Sequence, residues 1–114
     1  MNNMTSNRLE LIAEMLEKNP DDTFLNYAAA LEYKKENDIK RAISIFQKIV
    51  EQDPEYLATY YQLGKLLEET GKVAEAIALY QRGHKLALEK NDVKATGELY
   101  EALLILGEDD QNDW

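Results

Sequence analysis

Laid on itself so that Pro20 falls on Pro54, the chain also pairs Tyr27 with Tyr61, Asn37 with Gly71, Ala42 with Ala76, Ile43 with Ile77 and Phe46 with Tyr80. Each pairing has a physical reason. Alanines suit a close crossing of two helices, the aromatics suit the space between hairpins, and Asn and Gly both accept the positive φ that ends a helix. Self-similarity of this kind restricts a chain to stacked copies of one supersecondary unit, because each copy buries its apolar side only against a neighbour. From Tyr60 to Gly83, two amphipathic segments meet at small residues around one glycine turn, so the unit is a helical hairpin.

Hydrophobic periodicity predicts six helices, at about residues 5–18, 22–36, 39–52, 55–70, 73–89 and 92–106. The first carries Leu9, Ile12, Met15 and Leu16 on one face, is capped by Thr5, Ser6 or Asn7, and stops at Asn19-Pro20, since proline disfavours helical geometry in the residue before it. Asp21 and Asp22 suit the start of the second, whose inner side is small at Ala28, Ala29 and Ala30. Asn37 ends that helix and Asp38 caps the third, which carries Ile39, Ala42, Ile43, Phe46, Ile49 and Val50. Asp53-Pro54-Glu55 closes the third helix and opens the fourth, with proline in a first turn. The same shift applied to Pro54 calls for a third proline at position 88. The chain instead has Leu88 followed by Glu-Lys-Asn-Asp, so the fifth helix runs on until Asn91 ends it. The sixth carries Val93, Ala95, Leu99, Tyr100, Leu103, Leu104 and Leu106, a wider apolar stripe than the others. Residues 108–114 read as a disordered acidic tail without periodicity.

These residues resemble the tetratricopeptide repeat (TPR) family, whose period of about 34 residues is the spacing of the pairs above. Tyr60, Leu63-Gly64, Leu67, Gly71, Ala76, Tyr80 and Gly83 stand at its signature positions. Residues 23–54 match less well at their start, with Asn26 for the aromatic and Ala29-Ala30 for Leu-Gly, but Tyr33, Ala42, Phe46 and Pro54 fit. The resemblance implies an all-α fold, a right-handed α-solenoid of antiparallel helix-turn-helix repeats. One domain is expected over residues 1–107, with repeats at 23–56 and 57–90. The N-terminal helix is then a half repeat, a second helix without its first, and the C-terminal helix caps the stack.

Little in the composition supports catalysis. With no cysteine and one histidine, His84, thiolate and two-histidine metal sites and nucleophile-histidine pairs are excluded or weak, and the five glycines form no phosphate cradle. No enzyme activity, cofactor or metal is expected. His84 takes the repeat position of Val50, which is apolar, and reads as a side chain packed where the last helix docks. Asp109, Asp110 and Asp113 lack the spacing of a calcium loop, and Trp114 reads as part of the tail. The 13 basic and 22 acidic residues give a net charge of −9, which repels nucleic acid and anionic lipid. The basic pairs Lys34-Lys35 and Lys40-Arg41 are interleaved with acids and read as solvated faces. No secretory signal and no membrane span are evident, which makes the cytoplasm the expected location.

Stacked hairpins expose the first helix of each repeat on a concave side, the default binding groove. By the resemblance, its lining here is Phe24, Tyr27, Leu31 and Lys34, then Ala58, Tyr61, Lys65 and Glu68. The two tyrosines offer flat faces to a peptide or helix of a partner protein; the equally weighted reading is that they are filling. Family members that clamp acidic chaperone C-termini place lysine and asparagines where this chain has Tyr27, Leu31 and Gln62, so that clamp is not expected. A competing expectation is self-association into a homodimer through Leu99, Leu103, Leu104 and Ile105 of the last helix.

Overall fold

Six α-helices make up the described residues, 7–107, of the computed structural model: α1 (Asn7–Lys18), α2 (Thr23–Lys35), α3 (Ile39–Gln52), α4 (Ala58–Glu69), α5 (Val73–Glu89) and α6 (Val93–Ile105). Thr5, Ser6, the acidic tail and Trp114 lie outside the described residues. The fold is all-α and of the helical-repeat type. Its contacts divide the chain into two compact units, Met1–Tyr56 and Leu57–Trp114.

Two kinds of link recur, each dictated by local chemistry. The tight links hold a left-handed residue: Asn37 at φ 65°, Gly71 at φ 87° and Asn91 at φ 57°. Each closes its helix in the same way, the following amide reaching back across the last turn, from Asp38 to the Tyr33 carbonyl (2.8 Å), from Lys72 to Leu67 (2.8 Å) and from Asp92 to Ala87 (3.0 Å). This closure satisfies carbonyls that a helix end leaves bare. Asp38 and Asp92 then cap α3 and α6, accepting from the amides of Arg41 (3.3 Å) and Ala95 (3.0 Å). The other links are proline turns. Asp22 N–H donates to the Asn19 carbonyl (3.2 Å) and Tyr56 N–H to that of Asp53 (3.0 Å), with Pro20 and Pro54 at the second turn position.

The proline turn corrects one boundary. The fourth helix, expected from residue 55, begins at Ala58, because Pro54 occupies the turn and not the first helical turn. Leu57 supplies no side-chain cap there, whereas Asp22 caps α2 through the Leu25 amide (2.8 Å).

In the first unit α1 packs on α2 and α2 on α3. Leu9, Ile12, Ala28 and Ala29 form one cluster, with Leu16, Tyr33 and Ile45 against it. Met15, expected on the packing face, is 47% exposed, since α2 covers only the Leu9, Ile12 and Leu16 side of α1. Arg8 bridges the pair, its Nε 3.0 Å from the buried carboxylate of Glu32.

In the second unit α5 packs on both α4 and α6. The Tyr80 ring, expected between hairpins, lies against Gly64 of its own hairpin: a Cβ built on Gly64 would fall within 3 Å of three Tyr80 ring atoms. The reciprocal contact is as close. A Cβ on Gly83 would stand 2.7 Å from Tyr60 Cβ and 3.3 Å from Leu99 Cδ1. One glycine of α5 thus lets both neighbouring helices approach. At the positions corresponding to Tyr60 and Gly83, the first unit has Asn26 and Ile49, so bulk has moved from the first helix to the second. Asn26 uses the vacated place to donate its amide to the carbonyls of Pro20 (3.0 Å) and Asp22 (2.9 Å).

Glycine inside a helix ordinarily costs about 1 kcal/mol relative to alanine. Gly64→Ala and Gly83→Ala are nevertheless expected to destabilise the protein by about 1–3 kcal/mol, the cost of overpacking. Gly97→Ala, where a Cβ would meet nothing within 4 Å in the middle of α6, is expected to stabilise it by about 0.5–1 kcal/mol. Denaturant unfolding of the three variants reads both signs.

Candidate functional site

Phe24, Tyr27, Leu31 and Lys34 recur at three- and four-residue spacing along α2, so they share one side of it. The opposite side is buried through Ala28, Ala29 and Ala30, whose small side chains bring the neighbouring helices close. Phe24 is 64% exposed, and Tyr27, Leu31 and Lys34 are half-buried. The Tyr27 ring is wedged between Phe46 and Tyr56, with centroids at 5.7 and 5.4 Å, both tilted. It therefore fills space while remaining half-buried.

The corresponding side of α4 is more polar. Ala58 is exposed, and Tyr61 is half-buried with its ring 6.2 Å from that of Tyr80. Lys65 Nζ lies 3.8 Å from Glu68 Oε1, and the same carboxylate oxygen accepts a 2.9 Å hydrogen bond from the Tyr80 hydroxyl. Glu68 is thereby tied into its own hairpin. The two charges of this side face each other.

Burial pushes the Tyr80 hydroxyl well above its ordinary range, helped by its bond to Glu68 and by that carboxylate's negative charge. On the far side of the same hairpin the Arg82 guanidinium lies 5.4 Å over the Tyr60 ring and donates to its hydroxyl at 3.4 Å.

The four residues expected to join a second copy separate into two kinds. Leu99 and Leu103 are 2% and 0% exposed, so they belong to the core of the second unit and not to an interface. Spaced four apart, both point at α5. Leu104 and Ile105 are 42% and 71% exposed. His84 sits half-buried on α5 with its ring 5.9 Å from that of Tyr100 on α6.

Two features escaped the sequence. One is the Arg8–Glu32 pair, signalled only by an acid inside an apolar helix face. The other is a recess of about 330 Å³ in the first unit, lined by Leu9, Ala13 and Tyr33 with the charged Glu10, Glu36 and Arg41. Arg41 is engaged there, 5.5 Å over the Tyr33 ring and 3.5 Å from Asp38. Among the described residues no three side chains of metal-ligating type converge, and no helix is long and apolar enough to cross a membrane.

The sequence model of the tetratricopeptide repeat family matches residues 33–96. A TPR repeat-containing protein of Pseudomonas aeruginosa is 32% identical over 91 residues, which are 80% of this chain and 87% of that one. Among solved structures, the crystal structure of a tetratricopeptide repeat domain protein from Salinibacter ruber is 40% identical. It superposes with a TM-score of 0.71 over 74% of this chain and 93% of that one. The solution structure of a Bordetella parapertussis protein, 24% identical, shares the fold over 93% of this chain and 92% of its own, with a TM-score of 0.77.

Tyr80 carries a testable consequence for stability at high pH. Its hydroxyl ionises near pH 10 in the unfolded chain and higher in the fold, so its contribution is fully present below pH 10 and is lost as pH rises above that value. Stability measured by denaturant unfolding is expected to fall more steeply above pH 10 in the parent protein than in Tyr80→Phe. At neutral pH the variant is expected to be less stable by about 1 kcal/mol, the net worth of one hydrogen bond.

Proposed function

Because the chain belongs to the tetratricopeptide repeat family, whose fold is a general protein–protein interaction module, we propose that it is a non-catalytic adaptor holding a peptide or helix of a partner protein on the first helices of its hairpins. The observation that carries this reading is the exposed side of α2. A phenylalanine 64% open to solvent stands in line with a half-buried tyrosine and leucine, on a helix whose other side is packed. Apolar rows of this kind on a rigid helix serve as anchoring surfaces, because a partner gains buried area there without ordering the protein first.

The chemistry of the two sides suggests the ligand's character. α2 offers Phe24, Tyr27 and Leu31 to aliphatic or aromatic side chains, with Lys34 beyond them; α4 offers the Tyr61 ring beside the Lys65–Glu68 pair. An apolar peptide with polar flanks suits these surfaces better than an acidic C-terminus, for which the lysine and asparagines of the chaperone clamp are missing at Tyr27, Leu31 and Gln62. The net charge of −9 argues against nucleic acid as the partner. The absence of cysteine and the ring contact of His84 with Tyr100 support a role without catalysis.

Phe24→Ala is the variant that tests the reading, since an exposed side chain contributes little to folding, within about 0.5 kcal/mol. It is expected to lower capture of a specific cellular partner at least tenfold, about 1.4 kcal/mol, with helicity unchanged. A photoreactive residue at position 24 is expected to crosslink the same partner, and one at the exposed Ser44 of α3 is not. Partner capture that is indifferent to Phe24→Ala and to Leu31→Ala would overturn it.

A further inference from the structure

The two terminal helices are of opposite type. Shifted onto α4, α6 aligns Leu99 with Leu63, Leu103 with Leu67 and Gly107 with Gly71, and both glycines are left-handed, at φ 77° and 87°. α6 is thus of the first-helix type, ended by the same left-handed glycine as α4. Shifted onto α3 by the spacing of Pro20 and Pro54, α1 aligns Leu11 with Ile45, Ile12 with Phe46 and Met15 with Ile49, so α1 is a second helix.

Burial shows what each lacks among the described residues. α4 buries Tyr60 and Gly64 against its own second helix and ties Glu68 to Tyr80. The counterparts on α6 are Thr96, half-buried, Tyr100, 40% exposed, and Leu104, 42% exposed. Leu99, Ala102 and Leu103, which face α5, are buried as in α4. On α1 the same comparison holds. Ile49 is 3% exposed but Met15 47%, and half-buried Ile45 corresponds to Leu11 at 58%. What is uncovered is therefore Tyr100 and Leu104 of the row that meets a second helix on α6, and Leu11 and Met15 on α1, where Ile12 of the row that meets a first helix is already buried against α2. Stacked repeats ordinarily end in polar outer faces, whereas Leu11 and Met15 on α1 and Tyr100 and Leu104 on α6 are large exposed hydrophobic side chains.

We propose that a second copy of this chain covers them: α6 of one copy and α1 of the next join head to tail into a hairpin of the internal type. The residues that would face each other match the pattern of the internal hairpins. Met15 opposite Thr96 repeats the Ile49 and Asn26 positions of the first unit, large on the second helix and small on the first. Tyr100 and Ile12 hold the Gly64 and Tyr80 positions, with the ring moved to the first helix and Ile12 itself buried against α2. Arg8 stands where Ala42 and Ala76 do, and its guanidinium is held aside on Glu32 of α2. Ile105, though 71% exposed, corresponds to the exposed Glu69 and lies outside the row. The contact is heterologous, so it propagates into a ring or a row of copies. It is independent of partner binding on α2 and α4.

Mass measured by light scattering or sedimentation on the full chain tests this. The parent protein is expected to rise with concentration from 13.1 kDa to multiples of it. Met15→Glu and Leu104→Glu are each expected to stay at the mass of one chain with parental helicity, whereas Ile105→Glu assembles like the parent. Mixing the two monomeric variants is decisive. The Leu104→Glu copy keeps its α1 row and the Met15→Glu copy its α6 row, so the mixture is expected to form a one-to-one pair and stop there. Leu11→Glu replaces Met15→Glu should the latter lose helicity. A parent protein that is monomeric at every concentration overturns the proposal. So does parental assembly of both α1 variants, the signature of α6 pairing with α6, and so does a mixture that stays monomeric.

Discussion

The approach of bare backbone to an aromatic ring, made twice in opposite senses, is the contact on which the second unit depends. Gly64 of α4 receives the ring of Tyr80 from α5, and Gly83 of α5 receives Tyr60 from α4. Each helix yields its side chain where the other contributes a large one, so the axes come close and the rings are sealed from water. Sealing sets a further requirement, because a buried hydroxyl without a partner is costly. Glu68 meets it for Tyr80, and Lys65 stays beside that carboxylate. Gly83 also admits Leu99, so the same backbone position seats α6. A packing decision at two glycines therefore reaches the polar side of α4.

The first unit reaches the same architecture by other residues. Bulk sits on α3 at Ile49 and is withdrawn from α2 at Asn26, whose amide then secures the preceding proline turn. Phe46 needs no hydroxyl partner and packs, tilted, against Tyr27. The weak start of the first repeat is thus a compensated exchange of volume and not decay of the signature. The same exchange makes the exposed rows of α1 and α6 intelligible as halves of one hairpin.

Much of the candidate site was legible in the sequence because helical spacing alone places Phe24, Tyr27, Leu31 and Lys34 on one side of α2. What spacing could not supply was depth. Tyr27 is wedged between two rings and Phe24 is open, although both are aromatic residues of the same row. Leu99, Leu103, Leu104 and Ile105 looked like one broad stripe, and only the position of α5 separates the buried pair from the exposed pair. Arg8 and Glu32 were invisible as partners, since an ion pair between helices leaves no periodic trace.

The sequence by itself determined the six helices, the left-handed links at Asn37, Gly71 and Asn91 and the pairing of helices into hairpins. These follow from local rules: period, φ preference and capping act over a few residues and are repeated at a constant offset. Tertiary structure alone decided that Pro54 belongs to a turn and the helix waits until Ala58, that Met15 stays off the contact between α1 and α2, and that Tyr80 packs inside its own hairpin. Each of those depends on how much space a neighbouring helix leaves, and that space is set by side-chain volumes many residues away.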